Sequence, residues 1–101
     1  MSELVIEWDE EKNDILMRER RICFQDVLAA IEDGRILEDS RHPNHEKYHH
    51  QRVLVVEIGG YACAVPYVRE GNKLFLKTIY RSRIHQKRYS KHGSSLPKKF
   101  R

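Results

Sequence analysis

No acidic residue follows Glu70 in this chain of 101 residues, so the last part of the chain carries only positive charge. Residues 1–40 hold 12 acidic and 5 basic side chains, whereas residues 72–101 hold 10 basic side chains and no acidic one. One interpretation is an acidic face that balances a basic face within one domain. Because the positive charge is contiguous, we favour a basic surface for nucleic acid or for an acidic protein.

The chain also lacks the features of membrane, secreted and disulfide-rich proteins. It has no apolar run approaching about 18 residues, and its first residues are already polar. We therefore expect no membrane partner, no signal peptide and a bacterial-type cytoplasmic location. Cys23 and Cys63 are too few for a disulfide framework and are expected as buried, reduced thiols. We expect one small domain over residues 1–91 and a flexible basic tail over residues 92–101.

Motifs of the common catalytic centres are missing as well, and the one metal motif lies in a predicted loop. There is no glycine-rich phosphate loop and no Gly-x-Ser-x-Gly in the sequence. Residues 45–49 read His-Glu-Lys-Tyr-His and so match His-Glu-x-x-His, but they follow Pro43 in a polar segment, whereas this zinc motif acts on a helix. The segment after residue 41 is rich in candidate metal ligands, which are His42, His45, Glu46, His49 and His50. Because they have no cysteine partner and no helical pairing, we expect a solvated polar loop, no bound metal and no cofactor.

The first 40 residues predict a strand, two helices and a second short strand. Glu3–Trp8 is an apolar strand, and Asp9 then suits the N-cap of a helix that reaches about residue 20. A second helix begins near Cys23 or Phe24, and its apolar residues are spaced as one helical stripe. The stripe consists of Phe24, Val27, Leu28 and Ile31. Gly34 suits the position just after that helix, before a short strand over residues 35–40.

Three consecutive strands follow from residue 52. Gly59-Gly60 and Gly71-Asn72 suit two-residue hairpin turns, so these strands predict an antiparallel meander. Pro66 lies within the middle strand and cannot donate to the ladder, which predicts a bulge or gap there. The predicted fold class is α+β, with two N-terminal helices packed on this meander and a short basic C-terminal helix or tail after Arg83.

Alternation along the three strands assigns their side chains to two faces. The larger and more apolar face is expected to pack against the helices, and its members are Leu54, Val56, Ile58, Tyr61, Cys63, Val65, Tyr67, Leu74, Leu76 and Tyr80. The other face holds Val53, Val55, Glu57, Ala62, Ala64, Pro66, Val68, Phe75, Lys77, Ile79 and Arg81. There Glu57 and Arg81 are expected to flank Ala62 in a shallow site, unless a slip of one residue reverses the faces.

The cations at the end of the third strand match what RNA cleavage without a metal requires. The ribose 2′-hydroxyl attacks the adjacent phosphate, so the enzyme supplies a base, an acid and cations for the developing charge. The candidate catalytic residues are Glu57, Lys77, Arg81, Arg83, His85 and Tyr89. The candidate nucleic-acid-binding residues are Arg52, Lys87, Arg88 and Lys91. The same surface could instead bind nucleic acid without chemistry, or dock an acidic partner.

The order of several short motifs resembles the BrnT-type toxin family over roughly residues 4–90. That family begins with a strand ending in Trp-Asp, followed by a Lys and by a second helix that opens with an Ile-Ser-Phe-Glu-like run. The matching residues here are Trp8, Asp9, Lys12, Ile22, Phe24 and Asp26. The late segment TIYRSRIHQKRY resembles the family's closing strand, its arginine element and a basic helix with a tyrosine.

This resemblance implies a RelE-like fold and a ribonuclease toxin of a type II toxin–antitoxin pair. It implies neutralisation by a small ribbon-helix-helix antitoxin through an acidic segment, in a hetero-oligomer. The closing arginine of the family falls on Arg81 or Arg83, and the late tyrosine falls on Tyr89. Many family members carry Lys-His-Gly before the second helix, where this chain has Glu19-Arg20-Arg21. The segment between the closing arginine and the tyrosine is also shorter here, which leaves a non-catalytic relative as the alternative.

Overall fold

The computed structural model describes residues 4–92, and side chains as far as Tyr89. Within that range the chain forms three helices and six strands, an α+β fold. In chain order the elements are β1 (Val5–Trp8), α1 (Glu10–Arg20), α2 (Phe24–Glu32), β2 (Ile36–Arg41), β3 (Gln51–Ile58), β4 (Tyr61–Glu70), β5 (Lys73–Leu76), β6 (Tyr80–Arg81) and α3 (Arg83–His92). The predicted tail at 92–101 begins with the last residue of α3, and residues 93–101 lie outside the described range.

Local capping signals fix the ends of α1 and α2, as predicted. The Asp9 side chain accepts a hydrogen bond from the Glu11 N–H at 2.9 Å, which satisfies one of the free donors at the start of α1. At the end of α2, Gly34 has a φ of +73°, a left-handed conformation that glycine adopts without steric cost. Asn13 then joins the two helices, because its side chain accepts from the Phe24 N–H at 2.7 Å and donates to Gln25.

The sheet has the strand order β1-β5-β4-β3-β2, with β6 paired to β4. The β3–β4–β5 meander is antiparallel as predicted, and each of its hairpins turns over two residues: Gly59-Gly60 and Gly71-Asn72. The sheet as a whole is mixed, because β1 pairs with β5 in parallel. The local sequence pattern predicts β1 as a strand but indicates no partner for it. Its pairing needs the crossover through α1, α2 and three strands, which no local pattern shows.

The two faces of the sheet are covered by different helices. On the face that we call the helix-pair face, α1 and α2 bury a large apolar core with Phe24, Leu16 and Ile22 among its largest members. On the opposite α3 face the buried side chains are smaller, and they are Val53, Val55, Ala62 and Ala64. Helix α3 crosses this second face from β6 to β2: Gln86 accepts from the Ala62 N–H at 2.8 Å, and Tyr89 reaches the Leu37 carbonyl at 3.1 Å.

The predicted third strand is interrupted, and this changes the face of its last residues. Leu76 pairs with Tyr67 and Tyr80 pairs with Ala64, so three residues lie opposite two. The break lies opposite Pro66, whose carbonyl accepts from the Lys77 N–H at 2.8 Å but which has no N–H to return. The bulge that Pro66 predicted is therefore formed by its partner strand.

Three residues predicted from the sequence to lie on one face of the sheet therefore lie on the other. Ile79 is fully buried in the helix-pair core, although alternation placed it on the opposite face. Tyr80, expected in that core, is 42% exposed on the α3 face. Arg81 pairs with Cys63 on the helix-pair face, so the predicted shallow site shared by Arg81 and Glu57 is not formed. A single extra residue reverses every side chain after it, because the strand period is two.

The two cysteines form no disulfide, as predicted. Both cysteines are free; Cys63 is buried as expected, and Cys23 is half-buried at the start of α2. Burial raises the pKa of Cys63 to about 11, so this thiol stays protonated at neutral pH. Among the helices of residues 4–92, none is long and apolar enough to cross a membrane.

Candidate functional site

A bulge in edge strand β2 directs Glu38 toward α3. Ile36 pairs with Val56 and Glu38 pairs with Val55, so Leu37 is an extra residue in β2. Val55 belongs to the α3 face, and the pairing therefore puts Glu38 on the same face. Without the extra residue, Glu38 would oppose Leu54 and face away from α3.

Four side chains converge on the Glu38 carboxylate. Arg88 and the Tyr89 hydroxyl each donate to Oε1 at 2.7 Å, and the Ser40 hydroxyl donates to Oε2 at 3.1 Å. His85 Nε2 lies 3.5 Å from Oε2. Partial burial raises the pKa of Glu38, but the hydrogen bonds from Tyr89 and Ser40 and the charges of His85 and Arg88 outweigh it, so its pKa lies below the ordinary value.

His85 is held from its other side by Ser82, the residue before α3. Ser82 Oγ lies 2.6 Å from His85 Nδ1, and it also accepts from the His85 backbone N–H at 3.3 Å as an N-cap does. The contact orients the imidazole in either tautomer, because Ser82 Oγ can accept from a protonated Nδ1 or donate to an unprotonated one. We call Glu38, Ser40, Ser82, His85, Arg88 and Tyr89 the Glu38 cluster.

A cavity of about 230 Å³ opens beside the Glu38 cluster, between α3 and β2. Its apolar wall consists of Pro43, Val53, Tyr80 and Ile84, and its polar side consists of Glu38, Ser40, His85 and Arg88. Tyr80 and Ile84 are 42% and 72% exposed, so the apolar wall reaches solvent at the rim. An apolar wall combined with a few polar groups is a common lining of ligand sites.

The structure brings together only part of the predicted catalytic set. His85 and Tyr89 meet at Glu38, together with Arg88, which the sequence analysis treated as a binding residue. Burial and the hydrogen bond to Glu38 raise the pKa of Tyr89, so its hydroxyl holds a proton rather than accepting one. The roles of all three remain predictions.

The three other predicted cations lie away from this cavity. Arg81 is exposed on the helix-pair face and donates to the Arg20 carbonyl at 3.3 Å. Arg83 is exposed in the first turn of α3. Lys77 is exposed in the bulge, with its amine 5.4 Å from the centre of the Phe75 ring. They do not converge on one point, but Arg83 is on the same helix as the cluster.

Glu57 occupies a structural position instead of a reactive one. Its side chain is only 3% exposed, accepts from the Gly60 N–H inside the hairpin turn, and lies 3.5 Å from the Arg35 guanidinium. A carboxylate closed in this way cannot reach the ribose of a bound RNA. The prediction that Glu57 and Arg81 both flank Ala62 is therefore wrong, because the bulge moves Arg81 to the other face.

The predicted binding residues divide between the two faces. Arg52 pairs with Asp39, which also accepts from the Tyr67 hydroxyl, on the helix-pair face. Lys87 is exposed on α3, and Arg88 is half-exposed while it binds Glu38. Lys91 belongs to α3, but its side chain lies outside the described residues.

Sequence reasoning missed Glu38, Ser40, Ser82 and Tyr80 as site residues. Glu38 lies in a segment predicted only as a short strand, and its partners on α3 are about 50 residues away in sequence. Ser82 had one local signal, since a serine directly before a helix is a common N-cap. Among residues 4–92, no three histidine, cysteine, aspartate or glutamate side chains are grouped to hold a metal ion.

Comparison with known proteins shows the family of the chain. The model of a family described as "Domain of unknown function (DUF4258)" matches residues 16–81, from α1 through β6. No curated protein matches the chain. The match includes Glu38, Ser40 and Tyr80, and it ends one residue before Ser82, so α3 contributes its half of the cavity from outside the matched segment. Because more than half of its residues are matched, the chain belongs to the DUF4258 family.

Proposed function

We propose that the chain is a metal-independent endoribonuclease that acts as the toxin of a type II toxin–antitoxin pair. The observation that carries the proposal is a histidine held between a hydroxyl and a carboxylate at the wall of an open cavity, with an arginine beside it. Histidine, carboxylate and arginine are the groups that RNA cleavage through the 2′-hydroxyl requires. The arrangement of helices against an antiparallel meander supports a RelE-like fold.

His85 is the proposed base. Its Nε2 accepts the proton of the 2′-hydroxyl as the ribose oxygen bonds to phosphorus, and the bond to the leaving 5′-oxygen breaks to give a 2′,3′-cyclic phosphate. Glu38, at 3.5 Å from Nε2, stabilises the imidazolium that forms. That distance is longer than an ordinary hydrogen bond, so Nε2 is not firmly bound to Glu38. Ser82 holds the ring from the other nitrogen.

Arg88 is the proposed cation for the phosphate. One of its nitrogens is bound to Glu38, which fixes the guanidinium beside the cavity, and its half-exposed side chain keeps other donors for phosphate oxygens. The proton for the leaving oxygen comes from water or from Tyr89, whose raised pKa keeps its hydroxyl protonated at neutral pH. Arg83 and Lys87 extend the positive surface along α3 and hold the RNA backbone electrostatically.

The same α3 surface is the proposed contact for an antitoxin. No acidic residue occurs in α3 or anywhere after Glu70, so its cations repel one another unless salt or an acidic segment screens them. An acidic segment laid along α3 would also cover the cavity and thereby inhibit cleavage.

A non-catalytic nucleic-acid-binding module is the second candidate. It is favoured by the complete pairing of Glu38, whose carboxylate accepts from Arg88, Tyr89 and Ser40 while it faces His85. A carboxylate paired in this way also fits a purely structural clamp that fastens α3 to β2. Both candidates expect salt-dependent RNA binding, and only the first expects cleavage.

The test is cleavage of RNA by the purified chain, without antitoxin and in the presence of EDTA. The His85→Gln variant keeps a side chain that can hydrogen bond to Ser82 but loses the base. We expect wild-type chain to leave 2′,3′-cyclic ends, and His85→Gln to cleave about 100-fold more slowly or worse. Arg18→Gln removes an exposed charge on α1 and is the matched control, with unchanged cleavage expected.

Three results separate the candidates. RNA binding without cleavage by the wild-type chain would select the non-catalytic module. Cleavage that His85→Gln retains in full would keep the enzyme and reject His85 as its base. Growth of a bacterial host that is unaffected by wild-type expression would contradict the toxin role.

A further inference from the structure

We propose that the cavity beside the Glu38 cluster binds one unstacked nucleobase of single-stranded RNA, with the Tyr80 ring as its stacking surface. This inference rests on the proposed function in taking RNA as the ligand. It goes further in naming where a base is bound and which residue selects single strands. It does not depend on cleavage, because binding can be measured with RNA that has no free 2′-hydroxyl.

Tyr80 reaches the cavity only because of the bulge at residues 77–79. With continuous pairing from β5, its ring would point into the helix-pair core, as alternation predicted. The extra residue buries Ile79 in that core and turns Tyr80 outward to the α3 face. The chain therefore exposes a large aromatic ring at a place on this face where a cavity opens.

Ile84 extends the same apolar rim from the first turn of α3. Its side chain is 72% exposed beside the cavity that Tyr80 also lines. Adjacent exposed apolar side chains at a cavity rim usually mark a contact surface, because exposing them together to water is unfavourable. A planar ring that slides between Tyr80 and Ile84 would cover both.

The polar side of the cavity distinguishes a nucleobase from an apolar protein side chain. Ser40, Glu38, His85 and Arg88 all face the same space. An apolar protein side chain in the cavity would displace water from these groups without replacing its hydrogen bonds, which costs free energy. A nucleobase has an apolar face for Tyr80 and a polar edge for these four groups. The cations of α3 then lie where the phosphates on either side of the base would run.

Single-stranded RNA is the form that such a cavity accepts. Bases in a duplex are stacked and paired, and the deep, narrow major groove of A-form RNA admits no side chain. Unstacked bases are recognised by aromatic stacking together with hydrogen bonds to their edges. We therefore expect single strands to bind more tightly than duplexes of the same sequence.

The experiment measures binding of a short 2′-O-methyl RNA strand to the full chain by fluorescence anisotropy, at fixed salt. The comparison ligand has the same backbone with abasic positions throughout, so only the bases differ. We expect the strand with bases to bind about 10- to 100-fold more tightly, and Tyr80→Leu to remove that difference. Tyr80→Phe keeps a ring and is expected to retain it. Tyr48→Leu alters a tyrosine that does not line the cavity and is expected to have no effect.

The outcomes separate this inference from the proposed function. If both ligands bind the wild-type chain equally, the surface is purely electrostatic and the inference fails. The same holds if Tyr80→Leu keeps the full preference for bases, or if the apolar rim binds only an antitoxin-like protein. Cleavage of RNA alongside either result would leave the enzyme proposal intact. Absence of both binding and cleavage would reject the two together. Circular dichroism of Tyr80→Leu checks that the exposed position tolerates the change.

Discussion

The helix-pair face and the α3 face are built by the same strands, yet they differ in almost every respect. The first buries large apolar side chains, among them Leu16 of α1, Phe24 of α2 and Ile22 between these helices. The second buries valines and alanines beneath one basic helix, which is bound to β2 through the Glu38 carboxylate and the Leu37 carbonyl. Alternation along each strand makes this division of labour possible, because neighbouring residues point to opposite faces. The larger apolar core thus lies on one face, and the Glu38 cluster with its cavity lies on the other.

The largest expected effect is on the stability of the helix-pair face. Phe24 is fully buried and stacks on Trp8 with ring centroids 5.5 Å apart. We expect Phe24→Ala to lower the free energy of unfolding by about 3–5 kcal/mol, through lost burial and the cavity left behind. The measurement is urea denaturation followed by circular dichroism. Ile84→Ala, on the exposed rim of the other face, is the comparison and should change stability by less than about 0.5 kcal/mol. Equal losses in the two variants would mean that the faces do not differ as described.

A smaller effect on stability is expected from the clamp on the α3 face. Glu38→Gln removes the charge that Arg88 and Tyr89 bind, and we expect a loss of about 1 kcal/mol at neutral pH because the site is partly solvated. The pKa of Glu38 is lowered by folding, so its contribution is complete above the unfolded value of about 4.3 and is lost as pH falls through the folded value. Thermal melts from pH 7 to pH 3 should therefore converge for wild-type and variant at the acid end. If the melting temperatures of the two proteins differ by the same amount from pH 7 to pH 3, the titration of Glu38 does not contribute to stability.

The contrast between the two faces also explains what could be read from the sequence. The start of α1 at Asp9, the end of α2 before Gly34 and both glycine turns were predicted correctly. Each of these features depends on a few adjacent residues. The helix-pair core followed from apolar spacing as far as Leu76. Beyond it, one extra residue in the chain reversed the assignments of Ile79, Tyr80 and Arg81. Pro66 predicted a bulge, but the sequence did not show that the extra residue would lie in the strand opposite, at residues 77–79.

The candidate site was harder to predict, because it is assembled from distant segments. Glu38 faces α3 only through the bulge at Leu37, and its partners on α3 come from the end of the described chain. His85 and Tyr89 were identified by residue type and by their place in a basic segment. Their shared partner Glu38 was not, because nothing in a short strand with two acidic residues indicates which of them faces a helix. Glu57 was chosen by alternation alone, and burial under the hairpin was not visible from spacing.

The smallest expected effect is on the electrostatics of the α3 face. Arg83 is the exposed first residue of α3, and the helix contains no acidic residue. If it contacts one RNA phosphate, Arg83→Ala should weaken binding of all single-stranded sequences to a similar extent. It should also reduce the slope of log affinity against log salt by about 0.7, the value for one phosphate of a single strand. The measurement is anisotropy titration at several salt concentrations with uncleavable RNA. Arg18→Ala removes the same charge from α1 and should leave the slope unchanged, since α1 covers the helix-pair face. If both variants lower the slope equally, RNA binding depends on the net charge of the chain. That result would contradict the proposal that RNA binds the α3 face.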